Sequence, residues 1–310
     1  MKKLLQLLPF LAGWLVLLAS TSLDTLAGVN GALQMALFLV VVCIPTWRTG
    51  RMSYVDIGWP WGLVVIGAVA FLLGAGDPLR SALVAGLYTF MGGRMGFYAL
   101  KLWRAGALDR ELPRYRYREM RWRRAGATNF TLARQVEVLA QGLANASYLA
   151  IPAFVVASNP DPTLSAVELA GFAIALAAFA FESLADVQKA RFLAASKKAG
   201  ERNTVCDAGL WKYSRHPNYF FEWMVWNGLI VMALPSLPHL FGVEPLPVAA
   251  LVTAGLFFVS RVMYQTLVHF TGAKPAEYFS VQKRPAYVDY QKTTNRFFPG
   301  PRRSPGATAP

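Results

Sequence analysis

TLAGVNGALQMALFLVVVCIPTW, residues 25–47, is a run of 23 residues without an acidic or basic side chain. An α-helix needs about 20 such residues to cross the hydrocarbon core of a bilayer. Four further uncharged runs have a similar length and composition: residues 4–23, 57–76, 138–160 and 223–243. These five runs predict five membrane-spanning helices, so the chain is expected to be an integral membrane protein.

Three more apolar stretches are interrupted by a charged residue within the run. They are residues 81–102 with Arg94, 163–181 with Glu168 and 245–273 with Arg261. Together with the uncharged runs they predict an all-α bundle of about eight spans. The first run follows Lys2 and Lys3 and also resembles a secretory signal, so its cleavage stays open as an alternative to a retained helix.

The basic residues fall almost entirely on one side of this predicted topology. If the amino terminus is cytoplasmic, 28 of the 31 Lys and Arg residues lie in cytoplasmic segments and only Arg80 lies outside. Cytoplasmic loops of membrane proteins carry such an excess of positive charge. The distribution therefore predicts that both termini are cytoplasmic, as an even number of spans requires.

The composition excludes several other classes of protein. Hydrophobic residues make up 55% of the chain and charged residues only 15%, which is too apolar for an ordinary soluble domain. The net charge of +14 and the basic loop of residues 101–134 fit anionic lipid headgroups, so membrane lipids rather than nucleic acid are the expected partners. No CxxC or HExxH motif predicts a metal site.

The domain organisation is expected to be simple. Residues 1–299 are interpreted as a single integral membrane domain, because no polar segment is long enough for a second one. Residues 300–310, GPRRSPGATAP, are rich in Pro, Gly and Ala and are predicted to be disordered.

Ionisable side chains within or beside the spans are candidate site residues, because each costs several kcal/mol in lipid unless it is paired or hydrated. Asp56 opens the third span, where it could also serve only as a helix cap. Arg94 and Tyr98 share one face of the fourth span, Asp186 lies at the end of the sixth, and Arg261 lies within the eighth. The structural alternative for Asp186 is a self-paired ion ladder at the membrane surface, and for Arg261 it is an ion pair with an acidic residue such as Glu222.

The segment GLWKYSRHPNYFFEWMVW, residues 209–226, concentrates polar residues at the entrance to the seventh span. Pro217 suits the first turn of a helix, which places Asn218 and Glu222 on one face. Arg215 and His216 would then lie at the helix amino terminus, where positive charge and free amides favour a phosphate.

Three motifs in this order resemble the bacterial DUF1295 membrane proteins, which are similar to the carboxy-terminal domain of steroid 5-alpha-reductases. They are FESLADVQKARF at 181–192, GLWKYSRHPNYFFEW at 209–223 and KRPAYVDYQKTTNRFFP at 283–299. The resemblance covers about residues 56–299. It implies a helical protein of the bacterial inner membrane that binds NADPH and transfers hydride to the double bond of a lipophilic α,β-unsaturated carbonyl compound from the bilayer.

The resemblance also assigns roles to individual residues. Asp56, Tyr98 and Glu222 are the implied catalytic residues. Asn218 and Glu222 match an Asn-x-x-x-Glu pair that reaches cofactor and substrate respectively. The implied cofactor-binding residues are Arg94, Asp186, Arg191, Arg215, His216, Asn218, Tyr219, Arg261, Tyr287 and Tyr290.

One departure from the steroid enzymes and one motif shared with another family leave alternatives open. The region of their catalytic tyrosine reads Met91-Gly92-Gly93 here, so Tyr54, Tyr88 or Tyr98 would have to polarise a carbonyl. The Arg-His-Pro-x-Tyr motif is also shared with isoprenylcysteine carboxyl methyltransferases, which makes an enzyme using S-adenosylmethionine the second hypothesis. A non-enzymatic membrane protein is the third.

Overall fold

The computed structural model describes residues 4–304 and is built from helices, with no β-strand in that range. This confirms the predicted all-helical class. We label ten helical segments within those residues: α1 Leu4–Leu18, α2 Asp24–Thr49, α3 Val55–Leu73, α4 Pro78–Arg104, α5 Pro113–Arg124, α6 Phe130–Ala157, α7 Ala166–Lys198, α8 Pro217–Val243, α9 Leu246–Lys283 and α10 Tyr287–Thr293.

Six of the described helices are long and apolar enough to cross a membrane: α2, α3, α6, α7, α8 and α9. They correspond to six of the predicted spans, so the protein is an integral, multi-pass membrane protein. The other two predicted spans form helices of a different kind. Helix α1 is apolar but shorter, and the 27-residue helix α4 carries four basic side chains along its length.

Capping residues explain where several helices begin and end. Asp77 accepts a hydrogen bond from the Arg80 amide at 2.9 Å and precedes Pro78, the first residue of α4. Asn129 caps α6 in the same way. Helix α2 ends at Gly50, whose φ of +70° is a left-handed conformation that favours glycine.

Two compact units make up the described chain. Unit 1 takes in the residues up to Ala173 together with Gly228–Ser260, and unit 2 takes in Ile174–Asn227 and the residues from Arg261. The boundaries fall within α7, α8 and α9. The single membrane domain expected over residues 1–299 stays a prediction.

Helices α3 and α4 approach each other closely in unit 1. A Cβ added to Gly92 would lie 2.4 Å from the carbonyl oxygen of Pro60, and one added to Gly67 would lie 2.9 Å from that of Ala85. Small residues permit this kind of backbone contact between membrane helices. Gly92 therefore has a packing role between α3 and α4.

A buried network of amide side chains joins α2, α3 and α6 in unit 1. Asn30 donates to the carbonyl oxygen of Asn145 at 3.1 Å, and Gln34 donates to that of Gly62 at 2.8 Å. The Asn145 amide in turn donates to the carbonyl oxygen of Trp59 at 3.1 Å. Hydrogen bonds between neutral polar side chains and backbone hold membrane helices together without burying a charge.

A buried ion pair joins the amino-terminal turns of α4 and α7 in unit 1. Arg80, which is 1% exposed, binds both carboxylate oxygens of Glu168. Its remaining donors bind the carbonyl oxygens of Asn159, Asp161 and Thr163. Arg80 was predicted to be the one external cation outside a span, and the structure shows it fully engaged within the protein.

A second carboxylate of unit 1 lies between α8 and α9. Glu244 accepts hydrogen bonds from the Ser20 and Ser22 hydroxyls at 2.6 Å and from the Thr21 and Ser22 amides. Burial raises the pKa of Glu244, but these hydrogen bonds outweigh burial and lower it to about 2. The carboxylate therefore holds the link between α1 and α2.

The basic helix α5 packs against the other helices of unit 1 through its aromatic residues. Tyr115 and Trp122 are buried in a cluster with Phe38, Met52 and Val55. The apolar side of this helix thus contacts protein, and its arginines occupy the remaining faces.

Unit 2 is held by contacts between α7 and the segment before α8. The Trp211 indole donates to the carbonyl oxygen of Ala185 at 2.9 Å, and the Leu210 amide donates to Gln188 at 2.9 Å. Residues 300–304 continue this unit, since the Gly300 amide donates to the carbonyl oxygen of Tyr213. The remainder of the predicted tail, residues 305–310, lies outside the described residues, as do residues 1–3.

Candidate cofactor and catalytic site

The entrance to α8 is fixed by the carboxy-terminal segment of unit 2. The Arg215 amide donates to the carbonyl oxygen of Asn295 at 2.8 Å, and the Ser214 hydroxyl donates to that of Phe297 at 2.9 Å. Ser214 also accepts a hydrogen bond from the His216 amide. Pro217 then begins the helix, as the sequence predicted.

Glu277 of α9 is the centre of a buried polar cluster in unit 2. Its carboxylate accepts from Arg215 Nε at 2.7 Å, Arg296 Nε at 3.1 Å and Gln291 Nε2 at 3.1 Å. His216 Nε2 lies 3.3 Å from the same carboxylate. Two guanidinium groups therefore share one carboxylate, which leaves the cluster with a surplus of positive charge.

Arg215 is engaged entirely within this cluster. Its side chain is 6% exposed, and its Nη1 binds the carbonyl oxygens of Gln291 and Thr294 in addition to the contact with Glu277. Arg296 is different, because 43% of its side chain is exposed. Arg296 is therefore the guanidinium of this cluster that an anion can reach from solvent.

His216 is buried in the same cluster and stacks on Tyr219. The two ring centroids lie 5.3 Å apart with an interplanar angle of 6°. Burial lowers the pKa of His216, and the neighbouring charges of Lys189 and Arg215 lower it further, against the opposing effect of Glu277. The imidazole is therefore neutral at pH 7 and supports the cluster by stacking, while its buried Nε2 has no hydrogen-bond partner among residues 4–304.

Asp186 and Asn218 form a direct contact between α7 and α8 within unit 2. Asn218 Nδ2 donates to Asp186 Oδ1 at 3.1 Å. A carboxylate accepts but does not donate, so it fixes which end of the amide faces it. The other end, Asn218 Oδ1, is buried and has no hydrogen-bond partner among residues 4–304. This acceptor is available to a ligand.

Tyr287 and Tyr290 of α10 are buried side chains of unit 2. Their rings lie edge to face with centroids 5.5 Å apart. Burial raises the pKa of both hydroxyls. Tyr290 donates to the carbonyl oxygens of Trp211 and Ser214, so its hydroxyl holds the segment before α8.

The other predicted residues of unit 2 are more open. Arg191 of α7 and Arg261 of α9 are exposed, and Glu222 is half-buried one turn after Asn218. Arg261 precedes a π-helical turn at Thr266–Phe270. Such turns widen a helix locally and are frequent near functional sites.

The predicted residues of unit 1 have separate surroundings. Asp56 binds Arg114 Nη2 at 2.6 Å and the Tyr115 hydroxyl at 2.8 Å, so its carboxylate holds α5 against α3. It does not act as a side-chain cap of α3. Arg94 is half-buried on α4, and Tyr98 is 63% exposed on the same helix.

Sequence reasoning missed Glu277, Gln291 and Arg296. Glu277 lies among basic residues, since 274–303 contains seven Lys or Arg and only two acids, Glu277 and Asp289. A single carboxylate in such a segment is a signal that could have marked it. Its partner Arg215 lies 62 residues away in sequence, and no local pattern connects them.

A separate open cavity of about 500 Å³ lies on unit 2. Tyr290 is the one predicted site residue in its lining. Its walls are formed by Phe192, Thr204, Val205, Asp207, Ala286, Asp289, Tyr290, Thr293 and Arg302. Within the described residues, no group of three His, Cys, Asp or Glu side chains could hold a metal ion.

The fold and this site define a helical, multi-pass membrane protein with a buried polar cluster around the start of one spanning helix. The chain belongs to the DUF1295 family, described as "Protein of unknown function (DUF1295)", which it matches over residues 43–294. This confirms the family named from its motifs. No curated protein and no solved structure gives a significant match to the chain.

Proposed function

We propose that this protein is a membrane-embedded, NADPH-dependent reductase that transfers hydride to the C=C bond of a lipophilic α,β-unsaturated carbonyl compound. The observation that supports this most directly is the buried Asn218 Oδ1 without a partner, beside the Asp186 carboxylate. Two acceptors at one helix start suit the carboxamide N–H groups of a nicotinamide. Burying such an acceptor unpaired costs about 1–3 kcal/mol, which a ligand donor would remove.

The charge of the Glu277 cluster supports a phosphorylated cofactor. The cluster has more guanidinium than carboxylate groups, and Arg296 is accessible to solvent. A guanidinium binds phosphate oxygens with charge-assisted hydrogen bonds. In this proposal Arg296, with Arg261 and Arg191, contacts the cofactor phosphates, while Arg215 and His216 hold the cluster that orients it.

The reaction adds a hydride to one carbon of the double bond and a proton to the other. NADPH would supply the hydride when bound. Glu222, one turn after Asn218, is proposed to hold or position the proton from its carboxyl group. Roles for Arg94, Tyr98 and Asp56 rest on the family resemblance, and Asp56 would act while bound to Arg114 and Tyr115.

The proposal includes a topology of eight spans in the bacterial inner membrane. Helices α1 and α4 would supply the two spans beyond the six of sufficient apolar length, and both termini would be cytoplasmic. The distribution of basic residues supports this orientation. Reporter fusions after Arg124 and Lys198 should then read cytoplasmic, and an insertion near Asp161 should read external.

Ligand-induced stabilisation in detergent tests the cofactor. NADPH at 100 times its dissociation constant should add about 2.7 kcal/mol to the free energy of unfolding, and NADH should add less. Stabilisation by S-adenosylmethionine alone would replace the reductase by the methyltransferase hypothesis. No stabilisation by any of the three would remove both.

Variants on α8 test the residues. Asn218→Ala should weaken NADPH binding, whereas Asn227→Ala, a matched change on the same helix at an amide that donates to the carbonyl oxygen of Trp223, should not. Glu222→Gln should keep NADPH affinity and lower turnover of a 3-oxo-Δ4 steroid or another lipid enone by about 10². Unchanged binding in Asn218→Ala would contradict the proposed acceptor.

A further inference from the structure

One end of unit 1, which we name the basic end, is formed by helix α5, the ends of α2 and α4 and the starts of α3 and α6. Asp56 of α3 binds Arg114 of α5, and Arg134 of α6 binds Glu119 of α5 at 2.6 Å. Ala99, near the end of α4, packs in a cluster with Leu112 just before α5. Gln135 of α6 also donates to the carbonyl oxygen of Cys43 of α2 at 3.1 Å, so contacts connect all five elements.

Every acidic side chain at the basic end already has a partner. Asp56, Glu119 and Glu137 pair with arginines of α5 and α6. Glu111 accepts from the Met52 amide at 2.7 Å, and Asp109 lies 3.9 Å from Arg51. Four of these five carboxylates therefore face an arginine, and Glu111 is bound by the backbone instead.

A set of basic side chains at the same end is exposed and has no acidic partner among residues 4–304: Arg48, Lys101, Arg104, Arg110, Arg121 and Arg124. Because Tyr115 and Trp122 are buried in the protein, α5 cannot rotate to insert its aromatic face into lipid. The helix therefore holds its outward arginines in a fixed position. The result is a rigid cationic surface rather than a flexible basic loop.

Two exposed tryptophans indicate that this surface lies at the lipid headgroups. Trp47 is 67% exposed beside Arg48 at the end of α2, and Trp103 is 51% exposed beside Arg104 at the end of α4. Tryptophan at the ends of membrane helices lies at the headgroup level. The cations of the basic end are therefore at the depth of lipid phosphates.

We propose that the basic end is a binding surface for anionic phospholipids, whose headgroup phosphates contact Arg104, Arg121 and Arg124. The partner is a lipid of the surrounding leaflet. RNA, which an arginine-rich surface could also attract, would have to approach at the headgroup depth that the tryptophans mark. The inference is independent of the proposed reductase activity.

Native mass spectrometry of the detergent-purified full chain tests this directly. Phosphatidylglycerol and phosphatidylcholine with the same acyl chains are titrated in turn, and the bound lipids are counted. A basic side chain near an anionic surface contributes about fivefold to affinity, so Arg104→Gln/Arg121→Gln/Arg124→Gln should lose at least about tenfold of the phosphatidylglycerol binding. Phosphatidylcholine binding should not change.

The matched control removes three exposed cations from unit 2, as Lys197→Gln/Lys198→Gln/Arg202→Gln. It should retain the preference for phosphatidylglycerol. Equal binding of both lipids by the wild-type protein, or equal loss in the control variant, would overturn the proposal. Displacement of phosphatidylglycerol by a 20-nucleotide RNA would also overturn it, in favour of nucleic acid.

A salt titration of the wild-type protein keeps the test open if the triple variant does not fold. Raising the ionic strength from about 0.1 to 1 M shortens the screening length from about 10 to 3 Å. The preference for phosphatidylglycerol should disappear over this range. A preference that persists at high salt would show that the arginines do not create it.

Discussion

Unit 1 and unit 2 each bury an arginine against a glutamate, but the two pairs differ in their further hydrogen-bond partners. Arg80 and Glu168 are 1% and 2% exposed, and the guanidinium binds one carboxylate and three backbone carbonyls. Arg215 and Glu277 are 6% and 5% exposed, yet Glu277 also accepts from Gln291 and Arg296.

This difference distinguishes an ion pair with a structural role from a cluster that can bind an anionic ligand. The first pair is balanced, with one positive and one negative charge and its donors bound to protein. The second cluster carries two guanidinium groups for one carboxylate, and one of them reaches solvent. A solvent-accessible guanidinium whose charge is not balanced by its shared carboxylate favours an anionic ligand, which is one reason why the proposed cofactor site is assigned to unit 2.

The largest expected effect is on the balanced pair. Arg80→Met leaves Glu168 buried without a counter-charge, which should lower the free energy of unfolding by about 3–5 kcal/mol. Arg80→Met/Glu168→Leu should recover most of this loss, because an apolar pair needs no compensation. Denaturation in detergent micelles measures both. A double variant as unstable as the single one would show that the carbonyl contacts, not the charge pair, dominate.

The same double replacement in unit 2 should not recover stability. Arg215→Met/Glu277→Leu leaves Arg296 and Gln291 without their acceptor, so a loss of about 1–3 kcal/mol should persist. The measurement is the same micelle denaturation, compared with Glu277→Leu alone. Full recovery would mean that the Glu277 cluster is balanced like the first pair, and the distinction between the units would fail.

A smaller effect should appear in the pH dependence. Burial lowers the pKa of His216 in the folded state. The contribution of His216 to the free energy of unfolding is therefore fully present above pH 6.5 and decreases as pH falls below that value. Glu244 of unit 1 has a pKa of about 2, so its contribution to the free energy of unfolding decreases only between about pH 4.5 and 2.

Substitution distinguishes these two pH windows. His216→Gln should remove the loss of stability that begins below pH 6.5, and His239→Gln is the matched control that should retain it. Glu244→Gln should flatten only the lower window. Unfolding midpoints measured from pH 8 to 3 check both, and an unchanged profile in His216→Gln would exclude His216 as the source.

The smallest effect is expected at a surface pair. Lys292 and Asp289 lie 2.8 Å apart with side chains 66% and 78% exposed. Exposed pairs contribute between about 0.2 and 1 kcal/mol. Lys292→Ala should therefore change the free energy of unfolding by less than about 1 kcal/mol, and it sets the baseline for the buried pairs. A larger loss would mean that solvent exposure does not predict how much an ion pair contributes to the stability of this protein.

The sequence predicts the membrane fold well because apolar length is a local property. Residues 25–47 reveal α2 without knowledge of any other helix, and Pro217 indicates the start of α8. The motif resemblance placed Asn218 and Asp186 in one predicted site, although it did not predict the hydrogen bond between them.

Contacts between distant residues could not be predicted in this way. Asp56 was interpreted as a catalytic residue, but no pattern in the sequence indicates that Arg114 and Tyr115 would bind it. Glu277 was missed for the same reason, since its partners lie on three separate segments. Only the tertiary structure brings such groups together. The charge of a residue in the sequence therefore does not distinguish a ligand site from an internal ion pair.

The amide network of Asn30, Gln34 and Asn145 has a consequence for the energised membrane. A charge that moves across the bilayer exchanges about 2.3 kcal/mol per 100 mV with the electric field. Amide side chains carry no net charge, so the links between α2, α3 and α6 do no such electrical work. Unit 1 therefore keeps these contacts whether the membrane is polarised or not.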